Sequence, residues 1–452
     1  MLLGKKSSSL FRFFSEISDK NLTALLITLG LVHGSLLWPG ILTPDSESQY
    51  AQALSGIFNN HHPPLMSFLW RYLDKLYPGP GLLLICHLSL LYGAVYYLIQ
   101  SLSPFRGKIL FLFVPWIPQV LVFSGMIWKD VGFAFSFLWV GSLLAYLTLK
   151  KIPPLKRHVF FILLILFYGT SIKFQAKYCA PIFLAWLAYC LLNYRFRNKT
   201  FFPVCLLIFI PFYTLLGSVD RLLVPETQQT HSWQYVKIYD LAAISVALNT
   251  PLFPSFVKSD HFSLEALKKS FNTQRVDDLA FGPDPVLRIG RSEAERTVLW
   301  DYWFKTITEH PIYYLKHRFS ILSYGLICIP AQSEVTKLLE TTAPHQLLYE
   351  LLKTTCFVLL SHALTVILAT LYCLLAWVTR RMTPAAIPLF CFNSTGLMMV
   401  LVLLFFSMAG SPRYTYITVC MTHASHLFAY IAISAWLTSA RSRWALKWLH
   451  KI

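Results

Sequence analysis

The sequence predicts an all-α polytopic membrane protein, and three observations carry that prediction. Of 452 residues, 56% are hydrophobic and 13% charged, an apolar share well beyond that of an average soluble domain. The apolar residues gather in about ten runs of roughly spanning length. Lysine and arginine, 39 against 21 acidic residues for a net charge of +18, sit mostly in short loops between those runs, as positive-inside retention requires. That placement argues against nucleic-acid binding, because no basic stripe forms on a folded soluble unit.

Taken in order, residues 1–21 are basic and partly aromatic, suited to lie on an anionic cytoplasmic surface. Lys5, Lys6, Arg12 and Lys20 precede an apolar run with no small-residue cleavage site after it, so the first span reads as a signal anchor. Seven spans are expected at 22–42, 81–101, 109–127, 131–149, 158–173, 179–193 and 201–219, forming an N-terminal module of residues 1–219. Pro115 and Pro118 should kink the third. With the N-terminus inside, the basic loops around Arg106, Lys150 and Arg195 stay cytoplasmic.

Residues 43–80 form an expected hairpin in the first external loop. Ser46 and Gln49 make an S-x-x-Q capping box, and Tyr50, Ala53, Leu54, Ile57 and Phe58 fall on one helical face. His61, His62, Pro63 and Pro64 stop that helix, and Leu65, Leu69, Tyr72, Leu73 and Leu76 mark a second. The pair predicts two amphipathic helices at the membrane surface, the floor of a site. Residues 220–353 are expected to be an external helical subdomain, with a helix opened by Ser292 and Glu295 and closed at His310-Pro311. Within it the short apolar run Phe319 to Ala331 reads as buried or re-entrant. Residues 354–452 supply three further spans at 354–378, 385–408 and 415–438, leaving both ends cytoplasmic. Seven of the nine cysteines, including Cys190 and Cys420, fall inside apolar runs with no C-x-x-C spacing, which suits small core residues better than metal ligands or a disulfide framework.

Charges that break the positive-inside pattern identify the candidate site. Asp45 and Glu47 lie in the first external loop, Lys129 and Asp130 in the second, Lys173 and Lys177 in the third, and Arg413 beside Tyr414 in the last. A carboxylate beside cations at a membrane surface can take a proton from an attacking hydroxyl while the cations stabilise charge on a departing lipid phosphate. Asp45 is the candidate base. Lys129, Lys173, Lys177 and Arg413 are candidate phosphate ligands, since lysine acts as a point charge and arginine grips two oxygens. Each residue also has a plainer role. Asp45 suits the positive end of the helix it precedes, Lys129 and Asp130 an interfacial ion pair, Lys173 and Lys177 snorkelling chains, and Arg413 an interface anchor. Their convergence on one face carries the functional reading. His61 and His62 fit hydrogen bonding to substrate or backbone; a divalent metal held with Asp45 or Glu47 is the alternative, without H-E-x-x-H spacing to support it.

In layout and in short patches (PDSESQYAQALSGIFNNHHPPL, WKDVGFAF, YDLAAIS, HPIYYLKHR and SPRYTYI) the chain resembles bacterial membrane glycosyltransferases of the GT-C class, a group similar to protein O-mannosyltransferases and lipid A aminoarabinose transferases. The resemblance implies a bacterial inner-membrane enzyme with a polyprenyl-phosphate sugar donor, a lipid, glycan or protein acceptor on the outer face, and inversion at the transferred carbon. It implies first- and second-loop catalytic acids at Asp45 and Asp130, and a basic residue near the lipid phosphate at Arg413. The first loop reads Asp-Ser-Glu rather than adjacent acids and the second Lys-Asp rather than two acids, which leaves the role of Glu47 open and weakens a metal. The other readings are a lipid-linked saccharide transporter, whose mid-span charges are sparse here (His362, His423 and His426), and an envelope assembly protein that works through residues 220–353.

Overall fold

A computed structural model describes residues 18–103, 105–195, 199–327 and 362–449. The described residues are helical, with no named strand among them, as the fold class requires. Among the described residues, six helices are long and apolar enough to cross a membrane: α1 (Asp19–Leu37), α4 (Gly81–Ser101), α6 (Lys129–Lys150), α9 (Phe201–Leu223), α15 (His362–Thr379) and α16 (Ala386–Phe406). Two bent pairs raise the number to eight, Gly107–Trp116 with α5 (Pro118–Ser124) at 45°, and Pro412–Ala424, which ends in α17 (Tyr416–Ala424), with the start of α18 (His426–Leu449) at 47°. The first bend falls between Pro115 and Pro118, where proline removes the ladder hydrogen bonds a straight helix needs.

The remaining two expected spans are short helices. Residues 158–173 become α7 (Lys156–Ser171, 16 residues) and 179–193 become α8 (Ala180–Leu191, 12 residues), against the roughly 20 a crossing helix needs. A 3-10 turn at Phe174–Tyr178 lies between them, where the two lysines Lys173 and Lys177 mark a loop. Both helices nevertheless run alongside α6. Lys173, just after α7, pairs with Asp130 at one end, while Trp186 Nε1 donates to Thr148 Oγ1 at 2.9 Å and Tyr194 Oη to the Leu147 carbonyl at 2.8 Å at the other.

The chain divides into two compact units, the second being Glu226–Cys328 with Val400–Thr415 and the first the rest of the described chain. In the first unit α6 is the central helix, with 89% of its apolar window buried, whereas α1 and α9 show 22% and 17%. Glycine permits the close packing: a Cβ at Gly141 would lie 2.4 Å from the Phe392 ring.

In the second unit α10 (Trp233–Leu248) lies at the core, where Ile238, Leu241 and Ala242 pack with Leu267 of α11 (Leu264–Ser270), Leu279 of α12 (Asp277–Ala280) and Leu299 of α13 (Glu293–Glu309). The predicted Ser292–Glu295 box forms: the Glu295 amide donates to Ser292 Oγ at 3.1 Å and the Ser292 amide to Glu295 Oε2 at 3.0 Å. The helix ends before His310-Pro311, where α14 (Pro311–Ile327) begins. Phe319 to Ile327, expected to be a separate buried or re-entrant run, is the second half of α14; residues 328–331, like 354–361 of an expected span, lie outside the described residues.

The first-loop hairpin forms with different ends. Its first helix, α2 (Pro44–Ser55), starts at Pro44 with Thr43 as N-cap, because proline is pre-set for the first helical position. Ser46 therefore pairs back to Thr43, whose amide donates to Ser46 Oγ at 3.4 Å, and the expected box with Gln49 does not form. The helix also stops before the histidines and prolines. Gly56 takes a left-handed φ of 73°, and Arg71 Nη1 donates to the Ala53 and Leu54 carbonyls at 3.0 and 3.2 Å, closing the C-terminus. Ile57 and Phe58 thus lie outside the helix, and its buried residues are Ser46, Gln49, Gln52 and Ala53. The second helix, α3 (Leu65–Leu76), is tied to the first where Tyr50 Oη donates to Asp74 Oδ1 at 2.6 Å.

Candidate active site

The site starts from the backbone that joins the loop before α2 to the loop before α6. The Ile41 amide donates to the Gly125 carbonyl at 2.9 Å and the Ile127 amide returns a bond to Ile41 at 3.1 Å. Trp128, which precedes α6, donates from Nε1 to Thr43 Oγ1 at 2.7 Å. These bonds set the N-terminus of α2 beside that of α6, and hence Asp45 beside Lys129.

Lys129 Nζ lies 3.4 Å from Asp45 Oδ2 and 3.1 Å from His62 Nδ1, and His62 Nε2 is 3.9 Å from Asp45 Oδ1. An ammonium has no acceptor, so His62 Nδ1 must accept; the neutral ring then carries its proton on Nε2, toward the carboxylate. His61 packs edge-on against His62 with ring centroids 4.8 Å apart. Burial, and secondarily the charge of Lys129, depress the proton affinity of His61, while Asp45 opposes them. Of the triad, Asp45 is the most open, its side chain 29% exposed against 12% for Lys129 and 11% for His62.

No family model, curated protein or solved structure matches the chain. The reading therefore rests on the residues themselves. Asp130, the next residue after Lys129, forms an ion pair with Lys173 in which both side chains are only 2% exposed. A buried pair of this kind fixes the start of α6 against the turn after α7. Glu47 is exposed and pairs with no cation among the described residues. Lys177 is also exposed, its ammonium 5.3 Å from the Tyr178 ring centroid, a snorkelling geometry. Arg413 and Tyr414 belong to the second unit, where Arg413 Nη2 donates to Tyr414 Oη at 3.2 Å.

Asp45, His61, His62 and Lys129 are thus gathered, with the buried pair of Asp130 and Lys173 beginning one residue after Lys129. Among the described residues no group of three or more His, Cys, Asp or Glu side chains is arranged to hold a metal ion. Two contributors escaped sequence reasoning. Thr43 before Pro44 is a legible N-cap signal, but its bond to Trp128 joins residues 85 positions apart, which no local pattern reports. A carboxylate at a helix N-terminus, with an ammonium and an imidazole in reach, can accept a proton from a hydroxyl while two cationic or polar N–H groups face a developing anion.

Proposed function

We propose that the protein is a GT-C-like glycosyltransferase of a bacterial inner membrane, with about ten spans, both termini cytoplasmic and the site at the outer face. It moves a sugar from a polyprenyl-phosphate donor to a lipid, glycan or protein acceptor. Asp45 takes the acceptor hydroxyl proton as the oxygen attacks the anomeric carbon. The bond from that carbon to the phosphate oxygen breaks with inversion, and the departing phosphate keeps the electron pair and meets Lys129 and His62. Asp130 and Lys173 hold the first residue of α6 in place for this step.

The observation that carries the reading is the Asp45–Lys129–His62 cluster, part-exposed and built from two loops that the charge pattern assigns to one membrane face. The test is donor binding and transfer by purified protein with labelled polyprenyl-phosphate sugars. Lys129→Met should weaken donor binding and transfer at least tenfold, whereas Lys129→Arg should retain most binding. Equal binding and transfer in all three proteins would remove the phosphate role from Lys129.

A further inference from the structure

Two of the candidate spans are broken, one near Ile117 and one at Ser425. Breaks in spanning helices leave backbone groups that only a polar interior can satisfy, and they gather the ion and proton sites of membrane proteins. Here side chains join the two breaks. His423 is the penultimate residue of α17 and His426 the first of α18, and His423 Nδ1 lies 2.9 Å from His426 Nε2. His423 Nε2 meets Oε1 of Gln119, just past the first break on α5. At the other end His426 Nδ1 is 2.8 Å from Tyr372 Oη on α15. Four helices thereby contribute to one hydrogen-bonded chain that the site around Asp45 does not use.

We propose that this chain is a binding site for one proton. Its polarity follows from the end groups. The Gln119 carbonyl oxygen can only accept, so His423 carries its proton on Nε2 and accepts at Nδ1 from His426 Nε2, and His426 Nδ1 accepts from the Tyr372 hydroxyl. A proton arriving at His426 Nδ1 needs only the hydroxyl to rotate, after which the new N–H donates to the Tyr372 oxygen and every bond survives. A second proton would have to sit on His423 Nδ1, with N–H facing N–H, and would break the link between the rings. The capacity is therefore one. A charged ring away from water persists only when its N–H groups are bonded, and this chain supplies an acceptor for each.

His362 on α15 is the further imidazole acting on His423, and it packs edge-on against Phe123. Tyr416, Cys420, Cys373 and Tyr430 are the other described titratable side chains on the three helices α15, α17 and α18. Charged residues on the other elements packed against α17 are engaged elsewhere: Lys108 with Ser103, Lys129 with Asp45, Asp130 with Lys173 and Lys150 with the Ser103 carbonyl. The proton would change the joint between two broken spans, one of which leads through α5 to Gly125 and the second external loop.

The test is solid-state NMR of the full-length protein, labelled with nitrogen-15 histidine in lipid bilayers and titrated from pH 8 to 4, with His426→Asn identifying the signals. The His423–His426 pair should form one imidazolium between its two rings, with a midpoint between about pH 4 and 7. Tyr372→Phe, which removes the acceptor of a charge-assisted bond, should lower proton affinity about tenfold. Gln119→Glu, which places a carboxylate at the other end, should raise it at least tenfold. Failure of both rings to protonate above pH 4, or a midpoint indifferent to both substitutions, would overturn the proposal.

Discussion

Asp240 and Arg318, both in the second unit, show what a single buried charge demands. Arg318 is 1% exposed; it donates to Asp240 and, at 2.7 Å, to the Ser407 carbonyl, while Trp303 Nε1 donates to the same carboxylate at 2.9 Å. Removing the cation would strand the carboxylate, so Arg318→Met should destabilise this unit by about 3–5 kcal/mol, while Asp240→Leu/Arg318→Met together should cost less. Chemical denaturation of both variants checks this. One turn earlier on α10, Lys237 Nζ lies 3.5 Å above the Trp300 and Trp303 ring centroids. Burial first, and Arg318 after it, lower the Lys237 pKa to about 7, against the pull of Asp240. The unfolded chain therefore binds one proton more than the folded one between about pH 7 and 10.5, and stability should rise with pH across that window. Tryptophan emission should titrate near pH 7 in wild type and lose that step in Lys237→Met.

At the scale of elements, the hairpin is tied by a few bonds between its two helices, beside apolar contacts such as the Tyr50–Trp70 stack. Arg71→Met would release the Ala53 and Leu54 carbonyls and should speed amide exchange in the last turn of α2 about tenfold, leaving α6 protected, as hydrogen-exchange mass spectrometry would record. The contrast with the sequence reading is physical. Runs such as 81–101, 131–149 and 201–219 were legible because about twenty consecutive apolar residues have few alternatives to a spanning helix. The kink at Pro115 and Pro118 was legible because proline acts locally. The ends of α2 were not, since the Thr43 cap and the Gly56 stop compete with equally plausible signals at Ser46 and at His61 to Pro64. The break between α7 and α8 was legible at Lys173 and Lys177, whereas the end of α8 at Leu191 was not, because the apolar run continues through Leu192.

For the whole molecule, the charge pattern put Asp45 and Lys129 among the residues expected to converge, and the structure brings these two together with His61 and His62. The charge pattern could not foresee that Lys173 would be consumed by Asp130, since burial depends on packing between α6 and the turn after α7. The topology itself is testable. Single cysteines at Glu47 and Lys177 in a protein freed of other reactive thiols should react with a membrane-impermeant maleimide from outside intact cells, and one at Arg195 should not. The central claim is sugar transfer by a base at the membrane surface. The most direct measurement is transfer of label from a panel of polyprenyl-phosphate sugars to membrane lipid and protein in liposomes, wild type beside Asp45→Asn. The account predicts transfer by wild type and a loss of at least about a hundredfold in Asp45→Asn, with insertion and fold unchanged. Near-normal transfer by Asp45→Asn, or protected uptake of label without transfer to any acceptor, would contradict it.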